Sequence, residues 1–356
     1  MRILITGGAG FVGSNTALKA MERGHFVVSF DNLSRIGSGS NLAELKKKEN
    51  FLFIEGDITK STDLDWIPLE PKIDAIIHTA AQPGVPISIK DPLFDFKVNA
   101  LGALNVLEFA RSRGKIPVIF TSTNKCYSCA INDIPSVIGG KRRVWKGEYA
   151  KGISENFPVD SGGKEPYSPY GCSKYTADRY MQEYYHTYGV PTVVNRMSCI
   201  AGERQMGVEE QGWLSYFVYA KLFNLPLNIY GDGKQVRDIL YVGDLAELFL
   251  EEIENIETHQ GQVYNIGGGP DNALSLLEVI DHLVALEGNL FDLIYQDWRQ
   301  ADHLVYISDI SKIAPFWKPK VGAIETVDKI WNWVNAPGNK SRIWKMLRGT
   351  IGEKIG

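Results

Sequence analysis

The run RILITGGAGFVG (residues 2–13) leaves this chain few folds to choose from. A short apolar run breaks at once into Gly7, Gly8, Gly10 and Gly13, and a helix-competent segment follows. Glycine lets a backbone turn sharply and approach a ligand closely. The open N–H groups at the start of the next helix suit an anion, a pyrophosphate above all. The triplet Gly7, Gly10 and Gly13 says little by itself; its place between a strand and a helix carries the weight. An acid, Asp31, then ends the second apolar run, 18 residues after Gly13. That spacing suits a carboxylate bonding an adenosine ribose, so the turn reads as a dinucleotide site. A carboxylate there repels a 2′-phosphate, and NAD is expected over NADP, with Arg35 near enough to soften the preference.

Four more apolar runs follow the pattern set by RILIT (2–6): HFVVSFD (25–31), NFLFIEGD (50–57), AIIHTAA (75–81) and PVIFTST (117–123). Helix-length spacers between them predict a parallel sheet joined by right-handed crossovers. The expected fold class is α/β, a Rossmann-type doubly wound parallel sheet with a smaller α/β domain on the C-terminal side. The expected division is 1–190 for dinucleotide binding, 191–345 for substrate, and 346–356 as a tail, with about 236–258 folding back onto the first part. Residues 129–169, rich in Gly, Pro and charge, read as an irregular functional loop. A helix is expected from about Ser168 to Tyr188, stopped by Gly189 with Pro191 beyond. Gly267-Gly268-Gly269-Pro270 lacks the lysine of a phosphate loop and reads as a tight turn before a helix starting near Ser275.

Composition removes other classes. A net charge of −4 gives no drive toward nucleic acid or an anionic membrane surface. The Lys46-Lys47-Lys48 run reads as a solvated helix end. No apolar stretch approaches the roughly 18 residues that span a bilayer. Ile3-Leu4-Ile5 is too short for a secretory signal core. Four cysteines make no disulfide framework in a chain this long, and a reducing cytoplasm is the expected location. Cys126-x-x-Cys129 has no histidine at ligand spacing, so no metal is expected.

The chemistry is expected at TSTNKCYS (121–128) and YSPYGCSK (167–174). Three hydroxyls, an amide and an amine at the end of a core strand must be bonded to something, and strand ends are where ligands sit in such sheets. Tyr170 and Lys174, four apart at the start of a helix, share one helical face. An ammonium at roughly 4 Å and an effective dielectric of about 20 favours phenolate by roughly 4 kcal/mol before desolvation. Tyr170 is therefore the expected general base, with Thr123 holding the hydroxyl that loses its proton. Asp57 is placed to reach an adenine, and residues 78–82 to lie under the dinucleotide. His78 itself reads as a satisfied strand-end histidine.

TGGAGFVG, Asp31-Asn32, Asp57, HTAAQ (78–82), Asn99, TST (121–123) and Tyr170-x-x-x-Lys174 together resemble an extended short-chain dehydrogenase/reductase of the nucleotide-sugar epimerase and dehydratase group. The likeness runs to about residue 335. It implies NAD as cofactor, a nucleotide sugar as substrate, pairing into a homodimer or homotetramer, and Thr123, Tyr170 and Lys174 as the catalytic three. The cofactor-binding set that follows is Gly7, Gly10, Phe11, Val12, Gly13, Asp31, Asn32, Ser34, Arg35, Asp57, Ile58, Thr79, Ala80, Ala81, Gln82, Asn99 and Ser198, with the catalytic three. The substrate set is Asn124, Gln205, Gln211, Trp213, Tyr230, Arg237 and Arg299, the two arginines falling where the family clamps a diphosphate. Within the group, TSTNK, RQMGVEEQGW (204–213), YGDGKQVRD (230–238) and DWR (297–299) most resemble the CDP-paratose 2-epimerases. Dehydratases of the group carry Asp-Glu where Asn124-Lys125 stands, so elimination of water is disfavoured. The expectation is transient oxidation and epimerisation at C2 of a CDP-hexose. Epimerisation at C4 of a UDP- or dTDP-hexose, and a non-catalytic NAD-binding sensor, stay open as alternatives. Lys141-Arg142-Arg143 reads as a solvated loop or a contact for a nucleotide phosphate.

Overall fold

The computed structural model describes residues 1–160, 167–299 and 301–355. Residues 161–166 of the expected irregular loop and Gly356 of the expected tail lie outside these. The first five strands are β1 (Arg2–Thr6), β2 (Phe26–Asp31), β3 (Phe51–Glu55), β4 (Ala75–His78) and β5 (Val118–Thr123). A hairpin follows, β6 (Ser136–Gly139) and β7 (Arg142–Trp145), then β8 (Thr192–Met197) and β9 (Cys199–Ala201). The remaining strands are β10 (Leu227–Tyr230), β11 (Val236–Tyr241), β12 (Val263–Ile266), β13 (Ala273–Ser275), β14 (Leu293–Gln296) and β15 (Val305–Tyr306).

Seven strands form one parallel sheet in the order β12-β8-β5-β4-β1-β2-β3. β4 and β5 are buried along their whole length, as continuous apolar runs covered by helices on both faces must be. The strand order reverses at β1, which has β2 on one side and β4 on the other. A crevice outside the carboxyl ends of strands belongs at such a reversal. The boundary expected at 190/191 is not a feature of the sheet, because β8 begins at Thr192 and β12 adds its edge from Val263. β11 pairs instead with β9, β13 and β15, and β10 with β14, in two small sheets beside the large one. The helix Val242–Glu254 packs on the first helix, Phe11–Glu22, where Lys19 and Arg23 pair with Glu247 and Arg23 with Glu254 at 3.0 Å.

The stretch expected to be irregular contains the β6–β7 hairpin, whose Trp145 is buried among Tyr127, Ile153 and Tyr306. Its basic trio is paired with carboxylates rather than free for a phosphate, and Lys141 stays exposed. Lys141 bonds Asp281, Arg142 bonds Glu278 and Arg143 bonds Asp232, each at 2.6 Å. The helix Pro169–Glu183 runs on through a wider turn, Tyr184–Tyr188, and stops at Gly189, whose φ of 67° suits glycine. After Gly267-Gly268-Gly269 the chain makes one tight turn and the short strand β13 before Ser275 caps the next helix, reciprocally with Glu278.

Candidate active site

A cleft of about 360 Å³ opens at the carboxyl ends of β1, β2 and β4. Gly7, Gly10, Phe11, Val12 and Gly13 form one wall, and Asp31, Asn32, Ser34 and Arg35 form the next. Asp57, Ile58 and Thr79 to Gln82 complete it, with Tyr170 and Lys174 at the far end. The glycines are there because nothing else fits. A Cβ on Gly13 would stand 2.2 Å from the Gly7 carbonyl oxygen, and one on Gly7, at φ 69°, would stand 2.7 Å from Ala80 Cα. Gly10 supplies no side-chain cap to the helix Phe11–Glu22, and its first turn carries no acid, so its leading N–H groups suit an anionic ligand. Asp31 accepts from the Ala9 N–H at 3.0 Å and the Leu33 N–H at 2.8 Å, which fixes its carboxylate at the rim.

Three expected cofactor contacts stand elsewhere. Asn99 is buried behind the wall, exchanging hydrogen bonds with the Gln82 backbone at 2.9 Å in both directions. Ser198 donates to Asp238. Thr121 and Ser122 line the cleft, whereas Thr123, one residue on, meets Tyr170. His78 bonds Thr6 through Nδ1 at 2.6 Å, and burial pulls its imidazole down to about 3, which keeps it neutral.

Ser168 caps the helix that carries Tyr170 and Lys174 by accepting from the Gly171 N–H at 3.2 Å, with Pro169 at its first position. Ser88 Oγ accepts from the Tyr170 N–H at 3.1 Å. The Thr123 hydroxyl faces the Tyr170 phenol and favours its ionised form. Lys174 Nζ donates to the Thr121 carbonyl at 2.5 Å and lies 4.3 Å from the centre of the Phe120 ring. Burial raises the phenol to about 12, against the Thr123 hydroxyl and together with the charge of Asp95. Burial also lowers the Lys174 ammonium to about 7, with Asp178 and Asp95 opposing. Desolvation is thus the dominant influence on both groups, and the ammonium is engaged by the Thr121 carbonyl.

A second cavity, of about 180 Å³, is lined by Gln211, Trp213, Tyr230, Arg237 and Arg299. The Arg299 guanidinium lies 3.8 Å from the centre of the Tyr230 ring and donates to the Glu209 carbonyl at 3.1 Å. Arg237 Nη2 donates to Asp302 Oδ1 at 2.6 Å. Gln211 lines both cavities and accepts from Arg35, which joins the two walls. Gln205 belongs to the first cleft, where it accepts from Ser215 at 2.7 Å. Asn124 lines neither cavity; its Oδ1 lies 3.5 Å from Thr123 Oγ1. Sequence reasoning missed Asp302, which also draws Lys125 Nζ to 3.5 Å. An acid three residues beyond Arg299 was the available signal.

Comparison with known proteins decides the kinship. The NAD dependent epimerase/dehydratase family matches over residues 3–267. The chain belongs to this family. It is 36% identical to the CDP-paratose 2-epimerase of Salmonella typhi over 94% of this chain and all of that protein. It superposes on the UDP-glucose 4-epimerase of Thermus thermophilus, solved in complex with NAD, with a TM-score of 0.78 and 29% identity over 95% and 100% of the two chains. Against the dTDP-glucose 4,6-dehydratase of Bacillus anthracis str. Ames, also with NAD, the values are 0.77 and 27% over 96% and 99%. NAD is the cofactor of this epimerase/dehydratase fold, and the residues here fit it: a glycine cradle with no room for a Cβ, an uncapped helix start, and a carboxylate at the end of β2. Among the described residues no helix is long and apolar enough to cross a membrane.

Proposed function

We propose that the protein is an NAD-dependent nucleotide-sugar epimerase that inverts C2 of a CDP-hexose, as in the conversion of CDP-paratose to CDP-tyvelose. The observation that carries epimerisation over dehydration is the turn after β5, and the choice of C2 rests on the likeness to a CDP-paratose 2-epimerase. Where an eliminating acid pair would stand, Asn124 is an amide and Lys125 is an amine, held by the Ala301 carbonyl at 2.8 Å and by Asp302. No carboxyl group is offered from those two positions, which speaks against loss of water and for simple oxidation and return. The full-length likeness to a CDP-paratose 2-epimerase supports the same reading.

NAD, when bound, supplies a two-electron acceptor that takes hydride from the sugar carbon and returns it to the opposite face. The rest falls to the chain. Tyr170, as phenolate, takes the C2 hydroxyl proton, and Thr123 holds the same oxygen in line. Lys174 contributes positive charge beneath them. Arg237 and Arg299 hold the diphosphate, which leaves the keto sugar free to turn about its linkage while the nucleotide stays put. Tyr170 then gives the proton back to the re-formed alcohol.

Arg299→Ala is expected to raise KM for the nucleotide sugar by about tenfold to a hundredfold, the worth of one charge-assisted bond, with kcat within about threefold. Steady-state kinetics check this, and an unchanged KM would remove Arg299 from the diphosphate site. The inverted carbon separates C2 from C4 chemistry, the second reading that the likeness to UDP-glucose 4-epimerase keeps in view. Leu93, Phe96 and Tyr180 are exposed on the Pro92–Phe96 and Pro169–Glu183 helices, which favours pairing through that face. Light scattering should give a dimer or tetramer mass, and a monomer at micromolar concentration would refute this.

A further inference from the structure

Asp95 has no part in the reaction as described, yet it is completely buried beside it. It sits on the short helix Pro92–Phe96. Its Oδ1 accepts from Gln82 Nε2 at 2.8 Å and from Asn99 Nδ2 at 3.0 Å, and its Oδ2 accepts from Ser173 Oγ at 2.5 Å. The three donors come from three different places. Gln82 is a wall of the dinucleotide cleft. Asn99 lies in the turn that leads into the next helix, Gly102–Ser112. Ser173 stands between Tyr170 and Lys174.

All three donors are neutral, and among the described residues Asp95 forms no ion pair. A buried charge held only by neutral hydrogen-bond donors is costly, and an amide of the same size could serve a purely structural network at lower cost. The retained charge therefore needs a purpose, and its neighbours supply one. Acting on Tyr170 are Thr123 and Cys126, from the end of β5 and the turn after it, and Asp95, which also faces Cys172. Facing Lys174 are Asp178 one turn on, His78 from β4, and Asp95 again. Of these, His78 is held neutral and burial pushes the Cys126 thiol far up, so neither carries charge near neutrality. Asp178 is matched by the Arg196 guanidinium, which grips it at 3.0 and 3.1 Å. Asp95, hydrogen-bonded only to neutral donors, is left as the carboxylate acting on both members of the pair, with Lys174 the cation it faces.

We propose that Asp95 is a positioning residue of the reaction: its carboxylate ties the Tyr170–Lys174 turn to the Gln82 wall, and its charge sets the pH range over which that pair works. The inference rests on Tyr170 and Lys174 being the reacting pair and is independent of which sugar is turned over. A negative charge disfavours phenolate and favours ammonium, so it raises both protonation midpoints. Removing it lowers both. The two limbs of the pH–rate profile report these two proton losses together, so both limbs move in the same direction when the charge is removed.

The test is the pH profile of kcat/KM for Asp95→Asn, with CDP-paratose or, if that is what the protein turns over, UDP-glucose. Both limbs are expected to move to lower pH by on the order of one unit, the effect of a unit charge several ångströms away at an effective dielectric of about 20. Asp95→Glu, which keeps the charge but not the geometry, should lose kcat with its limbs in place. An Asp95→Asn profile that is merely lower, with unmoved limbs, overturns the proposal and leaves Asp95 a packing residue. Should Asp95→Asn fail to fold, a displaced profile for Asp95→Glu overturns it equally. Tyr170→Phe run in parallel separates the two levels. If that variant stays active, the pair itself is misassigned; if it is dead and the Asp95→Asn limbs stand still, only the role of Asp95 falls.

Discussion

Tyr170→Phe should lower epimerisation by at least a hundredfold while the protein stays folded and loaded with cofactor. The phenyl ring keeps the shape of the cleft and loses only the oxygen, which positioned acid–base catalysis values at about 10²–10⁴-fold. The Thr123 hydroxyl, which faces the phenol in the parent, does not replace it, because an alcohol is a far weaker base than phenolate at neutral pH. The loss is expected in kcat, with KM little changed, since the hydroxyl acts on the proton in flight and the arginines hold the substrate. Retention of more than about a tenth of the parent rate would show the base to be misassigned.

Gly13→Ala should yield a folded protein that no longer retains NAD. The added Cβ would meet the Gly7 carbonyl oxygen at 2.2 Å, the Gly7 carbonyl carbon at 2.8 Å and Gly8 Cα at 2.8 Å. All three are backbone atoms of the turn itself, so relief requires the cradle to open. Overpacking of this kind costs about 1–3 kcal/mol, and here it falls on the surface that must close around a pyrophosphate. A tenfold to hundredfold weaker hold on the cofactor follows. Absorbance and mass of the nucleotide released from purified protein measure it, beside circular dichroism to show the fold intact. Full cofactor occupancy in the variant would mean that the dinucleotide does not lie against this turn.

These two sites are legible in the sequence because their signals are local. A strand, a glycine turn and a helix fall within 22 residues, and Tyr170 and Lys174 share a face through helix geometry alone. The five early strands read clearly for the same reason, as short apolar runs between helical spacers. What stays hidden depends on pairings distant in the chain. Nothing near Thr192 says that β8 lies beside β5, or near Val263 that β12 lies beside β8. The basic trio at 141–143 finds its carboxylates at Asp232, Glu278 and Asp281, each about 90 residues away or more, which no local pattern records. Family resemblance puts Asn99 directly against the cofactor; in the structure it supports Gln82, which lines the cleft. Spacing also misdirects the Lys174 ammonium, since helical periodicity places a side chain on a face but does not choose its hydrogen-bond partner.

Internal return of hydride to the opposite face of one sugar carbon underlies the whole of the proposed mechanism. Incubation of the NAD-loaded protein with CDP-paratose in deuterated water, followed by NMR of the product, probes that return without intermediaries. The expected product is a CDP-sugar inverted at C2, with no solvent deuterium on that carbon. Inversion at C4, or deuterium incorporated at the inverted carbon, would contradict it.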